Sequence, residues 1–145
     1  MERCGVRAES LMWRKFRPHL VMAKLDPIRV ENPIHPGTPD INYIFGWIEL
    51  KTIPCWPKEQ HIVQIKHFTP QQRVFLLKRW RAAHGTTHLV LEVREARQWL
   101  LFDGDIAAQI VGRATAGTLR VNAVAVLDAH EIGKLPELII GRQGN

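Results

Sequence analysis

Three charged residues, Asp40, Glu49 and Lys51, interrupt an otherwise apolar stretch, GTPDINYIFGWIELKT, at residues 37–52. Side chains alternate between the two faces of a strand, so Glu49 and Lys51 share one face. If a tight turn is centred near residues 44–45, Asp40 lies opposite or nearly opposite Glu49 on the neighbouring strand. Facing Cβ atoms of antiparallel strands are about 5 Å apart, so the two carboxylates repel each other unless a cation neutralises them.

A pair of facing carboxylates is suited to holding a divalent cation. Mg²⁺ takes oxygen ligands at about 2.1 Å and commonly uses one or two carboxylates together with waters and phosphate oxygens. A lysine beside such a pair can orient a water or stabilise the charge that develops during phosphoryl transfer. The alternative is an Asp–Glu–Lys ion-pair ladder on a solvated hairpin face, which contributes little to stability. The spacing alone leaves both interpretations open.

The first half of the chain must position these residues. AESLMWRKFR, at 8–17, predicts a helix that ends near Pro18, because an internal proline removes a backbone hydrogen bond. At 100° per residue, Glu9 lies at the edge of the apolar face of this helix or within it. Strands are predicted at 28–32, 40–45 and 46–53, the last two forming a hairpin.

The second half predicts a helix and further strands. TPQQRVFLLKRWRAAHG, at 69–85, has Thr69 as an N-cap and Gly85 as a stop signal. Strands are predicted at 88–93, 99–102 and 118–128, with a short helix at 104–112. The order predicts a mixed α/β fold in which helices pack on a central sheet.

These motifs and this order of elements carry a resemblance. GTPD (37–40) followed by WIELK (47–51) resembles the PD-(D/E)XK nuclease signature, with Asp40 as the acid of PD and Glu49-Leu50-Lys51 as the second motif. The GTPD form and the TPQQ helix start resemble the VRR-NUC (virus-type replication-repair nuclease) family, over residues 9 to about 95. Small stand-alone proteins of this type occur in phages and bacteria.

The resemblance implies an α/β fold with a restriction-endonuclease-like PD-(D/E)XK core. That core contains a helix, a three-stranded antiparallel unit, a second helix and further strands. It would cover about residues 8–103 of a single nuclease domain, 1–145, with a small C-terminal extension at about 104–145.

The resemblance also implies a function, that of a Mg²⁺- or Mn²⁺-dependent DNA endonuclease, structure-selective on branched DNA such as the Holliday junctions of DNA repair. It implies that Asp40, Glu49 and the Leu50 backbone carbonyl hold the metal, and that Lys51 assists the nucleophilic water. A homodimer is implied as well, because resolving a junction requires paired cuts. A segment after about residue 103 would supply its interface.

Two further site residues are implied, each with an alternative. The first helix of the family supplies another acid, for which Glu9 is the best match, the alternative being a partly exposed surface glutamate. Glu31 is a second candidate for this acid. The helical glutamine of the family corresponds to Gln72, but Thr69 and Gln72 also form a capping-box pattern, and the two roles are compatible.

Several other residues are weaker candidates for contacts with the substrate. His35 precedes the GTPD corner and is a candidate phosphate contact, as are Lys66, Arg73 and Arg79, while Trp56 is a candidate DNA contact. None of the seven histidines has the spacing typical of a zinc site.

The composition of the chain limits its domain number, its class of partner and its cellular compartment. The chain has 145 residues, of which 46% are hydrophobic and 23% charged, as expected of one globular domain. Its net charge of +6 is compatible with a polyanionic partner. It has no apolar run of membrane-spanning length and no N-terminal signal pattern. Its two cysteines, Cys4 and Cys55, are far apart, which favours the reducing cytoplasm.

Two other classes of function remain open on the sequence. A non-catalytic basic DNA-binding module would use the 69–85 helix in a groove and would not depend on metal. A structural or subunit-interface protein would carry Asp40, Glu49 and Lys51 on a solvated face.

Overall fold

A computed structural model describes residues 2–31 and 34–143, with side chains from Ala8 onward. The elements follow one another along the chain in this order: α1 (Glu2–Met22), β1 (Ile28–Arg29), β2 (Ile41–Tyr43), β3 (Gly46–Ile53), α2 (Pro70–Ala82), β4 (Thr87–Val93), β5 (Gln98–Asp103), α3 (Gly104–Ile110), α4 (Ala116–Asn122), β6 (Ala125–Asp128), a 3₁₀ helix (Ala129–Lys134) and α5 (Leu135–Ile140). The fold of the described residues is therefore mixed α/β, as predicted.

The six strands form one mixed sheet in the spatial order β1-β2-β3-β4-β5-β6. Every neighbouring pair is antiparallel except β3 and β4, which run parallel because α2 returns the chain to the same end of the sheet. The strand β4 is buried along its whole length, so its apolar run THLVLEV is typical of a central strand covered on both faces.

Helices cover both faces of this sheet, and alternation along the strands divides the core into two clusters. Val90 packs with Met12 and Phe16 of α1, while its neighbours Leu89 and Leu91 pack with Leu76 of α2 on the opposite face. The residues after β5 share these clusters: Leu127, Ile132 and Leu135 lie on the α1 side, and Ala107, Val111 and Leu119 on the α2 side.

The predicted end of the first helix near Pro18 is wrong. The helix α1 continues through Pro18 to Met22. Leu20, beyond the proline, is fully buried in the same cluster as Met12 and Phe16. Burying a leucine contributes about 1.5–3 kcal/mol, comparable to the cost of an internal proline, so tertiary packing keeps this last turn helical.

The strand predicted at 118–128 is also wrong in its first half. Residues Ala116–Asn122 form α4, and only Ala125–Asp128 form a strand. The Thr115 side chain accepts a hydrogen bond from the Thr118 backbone N–H at 3.3 Å, and Leu119 is buried against the second cluster. The cap and this one apolar contact outweigh the strand preference of the valines.

The remaining elements differ from the predictions only in their bounds. The strand β1 covers Ile28–Arg29 of the predicted 28–32, of which Asn32 lies outside the described residues. The helix α2 ends at Ala82, before the predicted stop at Gly85.

Among the described residues no helix is both long enough and apolar enough to cross a membrane. Cys55 is a free, exposed thiol, and the Cys4 side chain lies outside the described residues.

Candidate active site

The β2–β3 hairpin brings the two predicted acids opposite each other. Ile41 pairs with Ile48 and Tyr43 with Gly46, so the turn is tight and the next pair outward is Asp40 with Glu49. The predicted facing position is thus confirmed. The position depends on a two-residue connection between the strands, because one extra residue would move every side chain to the other face.

Backbone N–H groups hold one oxygen of each carboxylate. The Asp40 N–H donates to Glu49 Oε1 at 3.2 Å, and the Leu50 N–H donates to Asp40 Oδ2 at 2.8 Å. These reciprocal bonds orient both side chains. They leave Asp40 Oδ1 and Glu49 Oε2 as the oxygens that no backbone group holds, and Glu49 Oε2 is buried without a hydrogen-bond partner among the described residues.

A cation lies beside each of these two oxygens. Lys51 Nζ is 3.4 Å from Glu49 Oε2, and Arg29 Nη1 is 3.5 Å from Asp40 Oδ1. Lys51 also donates to the His67 backbone carbonyl at 3.0 Å and lies over the Phe68 ring at 5.6 Å. His67 has a φ of 63°, a left-handed conformation that is uncommon outside glycine.

Burial excludes the solvated ion-pair ladder. Glu49 is 1% and Lys51 is 4% exposed, so the charges lie inside the protein rather than on a wet face. Charged groups are rarely buried so deeply without a partner that compensates their lost hydration. The interpretation of a structural protein that required a solvated face is therefore not supported.

The electrostatics of the site raise the pKa of two of its acids, Glu49 and Glu9. Burial raises the pKa of Glu49 well above its ordinary value, and repulsion from Asp40 adds to this, while attraction to Lys51 acts in the opposite direction. Burial also raises the pKa of Glu9, again helped by Asp40 and opposed by Lys51 and Arg29. If all three acids were ionised they would outnumber the two nearby cations, and a divalent cation would neutralise that excess of negative charge.

Glu9 therefore approaches the site from α1, as the family resemblance implies. It is half-buried at the edge of the apolar face that carries Met12 and Phe16. Among the described residues, the group of three acid or histidine side chains whose ligand atoms all lie within 4.8 Å of one another is instead Asp128, His130 and Glu131. Glu9, Asp40 and Glu49 do not meet that spacing, so the compact pair is Asp40 with Glu49.

The exposed Asp128–Glu131 group has a structural explanation. The Asp128 N–H donates to Glu131 Oε1 at 3.1 Å, which closes a capping box at the start of the 3₁₀ helix. Lys134 Nζ lies 2.7 Å from Glu131 Oε2. These contacts occupy the glutamate, and acidic groups on a surface commonly have no ion.

The donor set at the hairpin fits a hard divalent cation. Asp40 Oδ1 and Glu49 Oε2 are both carboxylate oxygens. The Leu50 backbone carbonyl, next to Glu49 on β3, is a third oxygen. Oxygen ligands suit Mg²⁺ and Mn²⁺, while zinc prefers histidine and cysteine. The buried, unpartnered Oε2 is the observation that favours a ligand here.

Gln72 forms the capping box that its spacing predicts. Its Oε1 accepts from the Thr69 N–H at 3.0 Å, and the Thr69 hydroxyl accepts from the Gln72 N–H at 3.2 Å. The α2 N-terminus nevertheless lies near the site, since His67, two residues before the cap, accepts the hydrogen bond of Lys51. Capping is thus established, and a role facing the site remains a prediction.

The weaker candidates lie in different environments. Glu31, beyond the end of β1, and His35 are exposed, and so are Lys66 and Arg79. Other groups are engaged in structural contacts. Trp56 Nε1 donates to Gln98 Oε1 at 2.8 Å, and Arg73 Nη1 donates to the Ala108 carbonyl at 3.1 Å.

Two groups at the site were not predicted from the sequence: the Arg29 guanidinium and the His67 carbonyl. Arg29 lies in the predicted strand 28–32, but neither its residue type nor its spacing from Asp40 indicates a site residue. A backbone carbonyl has no sequence signal at all.

Comparisons of the chain with protein-family models, with curated proteins and with solved structures find no match.

Proposed function

We propose that this protein is a metal-dependent DNA endonuclease of the PD-(D/E)XK type, similar to the VRR-NUC family. The observation that supports it most is the buried hairpin pair, in which Asp40 and Glu49 face each other and Lys51 Nζ lies 3.4 Å from Glu49. The order α1, β1, β2, β3, α2, β4 is consistent with the core expected of that superfamily.

In this proposal Asp40 and Glu49 hold Mg²⁺ or Mn²⁺ together with the Leu50 carbonyl, and Glu9 adds negative charge from α1. When bound, the metal would lower the pKa of a bound water and neutralise charge on the scissile phosphate. Lys51 would position that water. Its anchor on the His67 carbonyl and the Phe68 ring holds the ammonium in place, so little ordering is needed during the reaction.

The proposed substrate is DNA, double-stranded or branched. The net charge of +6 supports a polyanionic partner, and exposed Lys66 and Arg79 are candidate phosphate contacts on the α2 side. Arg73 is a weaker candidate than its sequence predicted, because its guanidinium donates to the Ala108 carbonyl at 3.1 Å. Cleavage of a four-way junction would further require two active sites, which a homodimer would provide.

The test is cleavage of labelled four-way junction, flap, nicked, linear and supercoiled DNA with Mg²⁺ or Mn²⁺. We expect the wild type to cut at least one of these substrates. We expect Asp40→Ala, Glu49→Ala and Lys51→Ala each to lose activity by about a hundredfold or more. Glu131→Gln is the matched control, because it changes the exposed acidic group and leaves the hairpin intact.

Two results would contradict the proposal: a wild type that cuts none of these substrates, and Ala variants that all cut as fast as the wild type. DNA binding that falls with salt, needs no metal and is indifferent to Glu49→Ala would instead favour the non-catalytic DNA-binding module. Sedimentation with and without junction DNA would test the homodimer.

A further inference from the structure

Arg29 occupies a position at the site that no part of the nuclease signature predicts. Its Nη1 lies 3.5 Å from Asp40 Oδ1, the oxygen that the Leu50 N–H leaves open. It also attracts the Glu9 carboxylate, so the guanidinium faces two of the three acids. The distance of 3.5 Å is that of an ion pair without a well-formed hydrogen bond.

The two cations of the site differ in what else they contact. Lys51 is anchored by the His67 carbonyl at 3.0 Å and by the Phe68 ring. Arg29 Nη1 is buried and has no hydrogen-bond partner among the described residues. A guanidinium N–H that is buried and unsatisfied is costly, which indicates that its best acceptor is absent.

A cation that binds Asp40 would compete with Arg29 for the same oxygen. Oδ2 already accepts the Leu50 N–H at 2.8 Å, so Oδ1 is the oxygen of this carboxylate with more acceptor capacity left for a cation. Once a metal neutralises Asp40, the attraction that keeps Arg29 at Oδ1 falls. The Arg29 side chain is 27% exposed, so the released guanidinium can reach solvent and an acceptor bound there.

We propose that Arg29 is a substrate-binding residue that exchanges partners: it neutralises Asp40 in the metal-free protein and contacts a phosphate of the bound strand in the metal-loaded one. Arginine is suited to this exchange because its planar fork binds carboxylate and phosphate with the same two N–H groups. The inference rests on the proposed nuclease function, and it adds a phosphate contact from β1 to those proposed for Lys66 and Arg79.

The test uses Arg29→Met, which removes the charge and keeps an extended side chain, Arg29→Lys, which keeps the charge, and Arg17→Met as a control on the exposed face of α1. Mn²⁺ affinity is measured by calorimetry without DNA. We expect Arg29→Met to bind Mn²⁺ about tenfold more tightly than the wild type, because the competing cation is gone. Arg29→Lys and Arg17→Met should stay close to the wild-type value.

A second measurement uses an oligonucleotide duplex in Ca²⁺, followed by fluorescence anisotropy over a range of salt concentrations. We expect Arg29→Met to bind about tenfold more weakly and to lose about one unit of the slope of log affinity against log salt, the signature of one lost phosphate contact. Arg29→Lys should keep the slope. In EDTA, where Arg29 stays on Asp40, the wild type and Arg29→Met should bind DNA alike.

Unchanged Mn²⁺ affinity in Arg29→Met, or an unchanged salt slope in Ca²⁺, would overturn the exchange. Neither measurement depends on cleavage, so the result can be separated from the nuclease proposal, which fails if the wild type cuts no DNA or if the Ala variants at Asp40, Glu49 and Lys51 all cut as fast as the wild type. If the wild type does cut, the loss in Arg29→Met should appear in KM more than in kcat.

Discussion

Replacing Glu49 by glutamine removes the charge of a proposed metal ligand and keeps its shape, which makes it the sharpest probe of the site. In the metal-free protein the variant should be as stable as the wild type or slightly more stable. In Mg²⁺ or Mn²⁺ it should lose most of the stabilisation that the wild type gains. A residue that serves only to support the hairpin would show neither effect.

The magnitudes follow from the geometry around Glu49. At the 3.4 Å from Lys51 Nζ to Glu49 Oε2, and an effective dielectric constant of about 20, the attraction is about 5 kcal/mol. Repulsion from Asp40, at about 5 Å, destabilises the ionised Glu49 side chain by about 3 kcal/mol. Burying its carboxylate costs several kcal/mol more. The ionised side chain is therefore unfavourable without a further cation, which is why we expect glutamine to be tolerated there.

Thermal unfolding with and without metal measures the effect. At a metal concentration about a hundredfold above Kd, binding contributes about 2.7 kcal/mol. For a chain of this size that corresponds to a rise in Tm of about 5–11 °C. Glu49→Gln should show less than about a third of the rise, and Glu131→Gln should show all of it. If Glu49→Gln keeps the full rise, or Glu131→Gln loses it, the metal does not bind at the hairpin.

The pH dependence of stability and of metal affinity provides an independent test of the role of Glu49. The folded pKa of Glu49 is raised above 4.5 by burial and by Asp40, so the stabilising protonated form is lost as pH rises from 4.5 through that folded value. The metal-free wild type should thus lose stability relative to Glu49→Gln as pH rises. Metal binding displaces the same proton, so metal affinity should rise with pH by up to about tenfold per pH unit. A metal affinity that is flat with pH would contradict this.

Three further predictions concern the surrounding fold. Thr69→Ala should cost about 1 kcal/mol and Gln72→Ala somewhat less, with the same cleavage rate in both; a slower rate confined to Gln72→Ala would assign it a role in the site. Burial lowers the pKa of His88 to about 4, so between pH 6.5 and 4 the wild type should lose about 3 kcal/mol of stability relative to His88→Gln, as measured by urea titrations of both proteins. A Cβ on Gly46 would lie 1.9 Å from the Thr86 carbonyl oxygen, so Gly46→Ala should cost more than about 2 kcal/mol, whereas Gly117→Ala, which meets nothing within 4 Å, should not destabilise.

Sequence patterns over a few residues correctly predicted the features that depend only on residues close together in the chain. The hairpin register follows from strand alternation and a tight turn, and the Thr69–Gln72 cap from a three-residue spacing. The errors arose where distant contacts outweighed local preference. Pro18 remains inside a helix because Leu20 is buried beyond it, and residues 118–122 are helical because Leu119 packs on the second cluster.

From its sequence alone, this protein was predicted to have facing acids at Asp40 and Glu49, a lysine two residues on, and an acid arriving on a helix. The facing acids and the lysine follow from strand alternation and a tight turn, whereas the acid on the helix was implied by the family resemblance. Only the tertiary structure decided how deeply Glu49 and Lys51 are buried, and that depth argues against a surface ion-pair ladder. It also decided the partners of the two cations, Arg29 on Asp40 and Lys51 on the His67 carbonyl. Burial and such contacts depend on groups from other elements that remove water from the site, and no short stretch of sequence records where those groups lie.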